Sequence, residues 1–237
     1  MLTILIGENI VSAALDDTVR LTSVSSKAYG SEVAKFDSAP ADIAVGVKDT
    51  SLVIAVNTDS VVVLKNGQVA NKLQVKYQPA AVALSVDEKT VAVGGKDNLI
   101  HLYTLSGNNL SEGPVLSGHR GALSVLTYSP DGKHLASADQ NRDIFVWDLA
   151  SNSIKVSGWQ FHTARVNSLS WTDDSQHLAS GALDGSIYVW SLQDPLKRIT
   201  VKNAHFNGVN SVLWLDANTL ASAGQDCTAK TWTIKFH

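Results

Sequence analysis

The chain has 237 residues, 44% of them hydrophobic, with 19 basic and 22 acidic side chains for a formal charge of -3. That balance, with no run of Lys or Arg, gives no electrostatic footprint for nucleic acid or an anionic membrane, and the composition excludes a low-complexity chain while leaving room for a large core. No apolar stretch approaches the length of a membrane-spanning helix and residues 1–9 lack the basic flank of a signal peptide; with a single cysteine, Cys227, read as a small core thiol, a soluble cytosolic protein is expected.

In chain order, short alternating apolar runs broken by Asp, Gly, Asn and Ser predict strands. The first group is Leu2–Leu5, a turn at Gly7–Asn9, Ile10–Ala14, Asp16 and Thr18–Leu21, its first strand cut short by the start of the chain. The second is Ile43–Gly46, Ser51–Val56, Asp59 and Val61–Leu64. The third contains Thr90–Gly94, Asp97 and Leu99–Tyr103, and the fourth Leu123–Tyr128, a turn at Ser129–Gly132, His134–Ala138 and Ile144–Trp147. The fifth is Val166–Trp171, His177–Gly181, Leu183–Gly185 and Ser186–Trp190, and the sixth Val209–Trp214, Thr219–Ala223 and Thr228–Trp232.

The groups repeat. Trp147, Trp190 and Trp232 stand 43 and 42 residues apart, each about a dozen residues after a Leu-Ala-Ser step at 135, 178 and 220, and His119, His162 and His205 keep the same beat. A period of about 40 to 45 residues, opened by Gly-His and closed by Trp, marks a propeller blade of four antiparallel strands. The reading is all-β: one β-propeller domain over 1–237 of about six blades, at 1–36, 37–74, 75–116, 117–157, 158–201 and 202–237. Nothing follows Trp232 long enough for an outer strand, so the ring is expected to be incomplete, with about 23 strands against about 28 in a seven-bladed ring, and the chain to be part of a longer protein or an open ring.

His205, Ser222 and Asp226 are the side-chain types of a hydrolytic triad. They recur as His162, Ser180 and Asp184, and again as His119, Ser137 and Asn141, and one enzyme does not carry three active sites in register. The expected role is a buried network in which the acidic residue accepts from the imidazole, which links through the serine to the indole of Trp147, Trp190 or Trp232. Asn141 would weaken the fourth group's network, since a neutral amide replaces a charge-assisted acceptor. Histidines at equivalent places on different blades are too far apart to share a metal, no Gly-rich loop between a strand and a helix would cradle a phosphate, and no catalytic, cofactor or metal site is expected. Trp159 is off the repeat grid, in the connection before the fifth group; with Phe161, Arg120, Arg165 and Phe206, which flank the three histidines, it is a candidate partner-binding anchor, against the plainer roles of edge packing and a solvated rim.

At Gly-His, Leu-Ala-Ser, Asp and Trp the chain resembles the WD-repeat family, strongly from about residue 80 to 232. The run His177–Trp190, Asp194-Pro195, Trp214-Leu215-Asp216 and the closing Lys230–Ile234, with Lys65–Gly67 and Val91–Asp97 upstream, is similar to the C-terminal propeller of the actin-interacting protein 1 family. That resemblance implies a cytoplasmic, non-enzymatic protein of the actin cytoskeleton whose partners are filamentous actin and cofilin, and whose action is cofilin-assisted filament disassembly. It also implies two seven-bladed propellers in the family, while the charge balance leaves no nucleic-acid or membrane partner expected, and no small-molecule substrate is expected. The alternative is a protein-interaction scaffold in another assembly, since one fold hosts many functions.

Overall fold

A computed structural model describes residues 2–6, 9–25 and 33–236. They form 23 strands and no helix, in six antiparallel sheets. The first sheet is β1 (Leu2–Ile6), β2 (Asn9–Ala13), β3 (Thr18–Ser23) and β4 (Val33–Lys35); the second is β5 (Asp42–Val45), β6 (Leu52–Val56), β7 (Ser60–Lys65) and β8 (Gln68–Gln74). The third is β9 (Pro79–Leu84), β10 (Thr90–Gly95), β11 (Leu99–Ser106) and β12 (Asn109–Ser117). The fourth is β13 (Leu123–Tyr128), β14 (His134–Asp139), β15 (Ile144–Asp148) and β16 (Ser153–Trp159); the fifth is β17 (Val166–Trp171), β18 (His177–Ala182), β19 (Ile187–Ser191) and β20 (Arg198–Val201). The sixth has three described strands, β21 (Val209–Trp214), β22 (Thr219–Gly224) and β23 (Ala229–Thr233). The first three sheets make one compact unit, Met1–Ser117, and the last three a second, Gly118–His237.

Each sheet is a meander in sequence order, the blade of a β-propeller, and burial explains its composition. In the second sheet the middle strands are covered on both faces by the first and third sheets, so they read as continuous apolar runs: every residue of β6 is buried, as are Ser60–Leu64 of β7. Ala136, Val146, Trp171, Leu178 and Trp190 fill the space between the fourth and fifth sheets, and Ala179, Val189, Val209, Val212, Trp214 and Leu220 that between the fifth and sixth. In the first unit Val45, Val53 and Leu64 pack with Val11 and Val19, while Ile54, Val61 and Val63 pack with Val82, Val91 and Tyr103. The outer strands β8, β12, β16 and β20 are mostly exposed and polar.

The turn from first to second strand is built alike in three sheets. Ser85, Ser129 and Thr172 each donate a hydroxyl, at 2.6 Å, to the carboxylate two residues on, Asp87, Asp131 and Asp174. Glu88, Gly132 and Ser175 take the positive φ that closes the turn, at 62°, 70° and 60°.

Two expectations change, and a third falls partly outside the described residues. Gly7 and Glu8 of the first expected turn lie outside the described residues, but β1 pairs with β2 at all five of its positions, Leu2 opposite Ala13 through Ile6 opposite Asn9. Cys227 is exposed, with φ 58°, because it sits in the turn between β22 and β23 rather than in a strand. Trp159, expected in a connection, is the last residue of β16, opposite Ile144.

Candidate functional site

The repeated histidines lie in the connections that enter β13, β17 and β21, each against the second strand of its sheet. In the fifth sheet the indole Nε1 of Trp190 donates to Ser180 Oγ at 2.9 Å, Ser180 Oγ lies 2.8 Å from His162 Nε2, and His162 Nδ1 is 3.0 Å from Asp184 Oδ2. The sixth repeats it through Trp232, Ser222, His205 and Asp226 at 2.8, 2.7 and 2.9 Å. The chain has one consistent direction: indole N–H into serine oxygen, serine O–H into Nε2, and Nδ1–H into carboxylate, so every donor in it is used.

In the fourth sheet Trp147, Ser137 and His119 follow suit at 2.7 and 2.7 Å, but the acceptor is Asp139, 3.0 Å from His119 Nδ1, and not Asn141. Successive residues of a strand alternate faces, so Ser137 and Asp139 on β14 point the same way and both reach the imidazole. Asp139 Oδ1 also accepts from Asp143 N at 3.0 Å, closing a turn that leaves Asn141 outside, over Gly121. All three chains therefore end on a carboxylate. Burial alone would raise the Asp139 and Asp184 carboxyls, but the imidazole and backbone N–H groups outweigh it and hold both below the usual carboxylate range. The His205 hydrogen bond is the chief cause of the same lowering at Asp226.

The order Ser, His, Asp at these distances is also that of a hydrolytic triad. Here the serine oxygen accepts the indole N–H, and Ser137, Ser180 and Ser222 are 0%, 0% and 4% exposed, so no substrate carbonyl reaches them. Among the described residues no cluster of three or more His, Cys, Asp and Glu could hold a metal ion.

Sequence reasoning missed the third sheet's version. Tyr77, 42 residues before His119, and Tyr103, 44 before Trp147, join hydroxyls at 2.8 Å, and Val93 stands where the fourth sheet has Ser137. Asp97, freed from the buried position, bonds His101 at 2.9 Å, and His101 stacks on Tyr77 with ring centroids 3.7 Å apart. The repeat spacing marked Tyr103; nothing in it marked Tyr77 or their pairing.

The partner-binding candidates separate by burial. Trp159 is 2% exposed, stacks on Trp190 at 4.9 Å and donates its Nε1 to the carbonyl of Pro195 at 2.9 Å, so it is a packing residue and no surface anchor. Phe161 is 46% exposed with the Arg198 guanidinium 3.5 Å above its ring. Arg120, Arg165 and Phe206 are exposed at the end of the sheets where the histidine connections emerge.

The profile of the WD domain, G-beta repeat, matches residues 111–148, 153–191 and 196–233. The second and third windows start at or just before an outer strand and end on the third strand of the next sheet, which is why each contains one histidine connection. The chain is 55% identical over 230 residues to the 66 kDa stress protein of Physarum polycephalum, covering 97% of this chain and 38% of that one. It is 33% identical over 161 residues to actin-interacting protein 1-2 of Arabidopsis thaliana and 38% identical over 165 residues to WD repeat-containing protein 1-B of Xenopus laevis, in each case over 68% of this chain. It spans 26% and 27% of those two relatives.

Proposed function

Since the chain belongs to the WD-repeat family, we propose that it is a non-enzymatic recognition module that binds actin filaments and assists cofilin-dependent filament disassembly in the cytoplasm. The observation that carries this reading is the 33% identity, over 161 residues, to a plant protein named for its interaction with actin. The geometry supports recognition over chemistry. The repeated polar side chains are spent on buried hydrogen bonds, while exposed Arg120, Arg165, Phe161 and Phe206 are free to meet a partner. They are the residues we assign to the binding surface, with Trp159 removed.

The match at 55% identity is to a stress protein whose name mentions no actin, which favours a second reading, a scaffold in another assembly. Co-sedimentation with filamentous actin, with and without cofilin, decides between them. The proposal expects weak pelleting alone and stronger pelleting with cofilin; a folded chain that stays in the supernatant with both would leave the scaffold.

A further inference from the structure

The outer edge of the third sheet is irregular. On β11 one residue, Leu102, separates His101 from Tyr103, whereas on β12 two, Gly113 and Pro114, separate their partners Val115 and Glu112. The extra residue makes a β-bulge, which bends a strand and re-aims its side chains. Glycine is required at its first position, since a Cβ on Gly113 would lie 2.9 Å from the carbonyl oxygen of Leu102. Opposite the bulge runs the connection from β8 to β9, pinned at both ends: Val75 N donates to Asp59 O at 2.8 Å, and Lys96 N to Gln78 O at 2.9 Å. Between bulge and connection, within the first unit, lies a cavity of about 360 Å³, large enough for a small ligand.

The cavity is lined by groups that the fold leaves unused. Lys76 on the connection and Glu112 beside the bulge are exposed, and among the described residues neither takes part in an ion pair, with the other or with a third group. Tyr77 and Tyr103 join hydroxyls at 2.8 Å, but two hydroxyls carry two protons and share one bond, so one O–H finds no acceptor among the described residues. Burial above all raises both phenols, with the Asp97 and Glu112 carboxylates adding to it, so both keep their protons. Val75 and the half-exposed Val115 supply an apolar wall. Lys76 and Glu112 balance each other and Asp97 is taken by His101, so the cavity selects neither a simple anion nor a simple cation.

We propose that this cavity binds a free amino acid with an aliphatic side chain, its ammonium on Glu112, its carboxylate on Lys76 and the spare phenol O–H, and its side chain against Val75 and Val115. Opposite charges held apart around one cavity select a zwitterion over an ion of either sign, because a ligand lacking one charge leaves the partner group unmatched. The apolar wall favours an aliphatic side chain over none. The inference is independent of the actin reading.

The test is isothermal titration calorimetry of the whole chain with L-leucine. Binding should be saturable, weaken about tenfold on Glu112→Gln and on Lys76→Gln, and survive Asp173→Asn in the second unit. All three are surface changes, and melting temperatures measured alongside should not move. L-leucine amide, which keeps the ammonium and lacks the carboxylate, and 4-methylpentanoate, which keeps the carboxylate and lacks the ammonium, should each bind at least about tenfold more weakly than leucine. Leucine amide binding as tightly as leucine would assign the cavity to the amino terminus of a peptide and overturn the proposal. Equal binding of 4-methylpentanoate, indifference to both substitutions, or no saturable binding of leucine by the folded chain would each overturn it as well.

Discussion

The carboxylate of Asp139 stands 3.0 Å from Nδ1 of His119 and holds the place that repeat spacing assigns to Asn141. It also receives the backbone N–H groups of Gly121 and Asp143, at 3.2 and 3.0 Å. Removing it strands a buried imidazole and two amides, so Asp139→Ala should cost about 1–3 kcal/mol in urea unfolding. Asn141→Ala, on the exposed turn, should cost less than about 0.5 kcal/mol. Equal losses would return Asn141 to the network.

The tryptophan grid was legible because Trp147, Trp190 and Trp232 do one job at one place in three sheets, and a repeated job leaves a repeated letter. Asp139 was not. Counting back from Trp147, or forward from Ser137, lands on Asn141 by analogy with Asp184 and Asp226, whereas the chemistry needs only a carboxylate on the serine's face of the strand. Trp159 misled for a related reason: β16 is an outer strand, mostly exposed, and its polar residues hide the end of the strand where one aromatic turns inward. Cys227 was read as core from its neighbours in the sequence, but a positive φ in a turn puts it outside.

Burial separates two aromatics that the sequence grouped together. Trp159→Ala should lower stability by about 3–5 kcal/mol, since it empties the space against Trp190 and strands the Pro195 carbonyl. Phe206→Ala should stay within about 0.5 kcal/mol of the parent. Thermal unfolding followed by circular dichroism reads both; similar losses would contradict the assignment of Phe206 to an open surface.

Gly185 combines a φ of 77° with a close approach: a Cβ there would lie 2.4 Å from the carbonyl oxygen of His205. At Gly132, φ 70°, nothing lies within 4 Å. Ala at Gly132 meets only backbone strain, about 1 kcal/mol, whereas Gly185→Ala must also push apart the loop that carries His205 and should cost clearly more. Equal unfolding midpoints for the two variants would mean the two loops are not in contact.

Acidification should weaken the fold in two stages. Burial lowers the affinity of His134 and His177 for a proton, with Lys155 adding to the effect at His134, so both are neutral in the fold and gain protons near 6.5 once unfolded. Stability then falls as the pH drops below about 6.5 toward their folded values. Asp139 and Asp184 have depressed folded values, so their contribution is intact above 3.8 and lost as the pH falls further. Urea midpoints measured across this range should decline twice, and His177→Gln should reduce the upper decline. A midpoint that rises between pH 7 and 5 would contradict the sign.

The central claim is that the buried chains hold the fold while the arginine-bearing end meets the partner. Cofilin-dependent co-sedimentation with filamentous actin, run in parallel on the parent, Arg165→Glu and Ser180→Ala and corrected for the folded fraction of each, tests it most directly. Ser180→Ala removes the link between Trp190 and His162 and should melt earlier, yet pellet like the parent where folded. Arg165→Glu should melt like the parent and lose about tenfold in filament affinity. The reverse, with Ser180→Ala losing binding at full folding and Arg165→Glu binding as the parent does, would contradict the account.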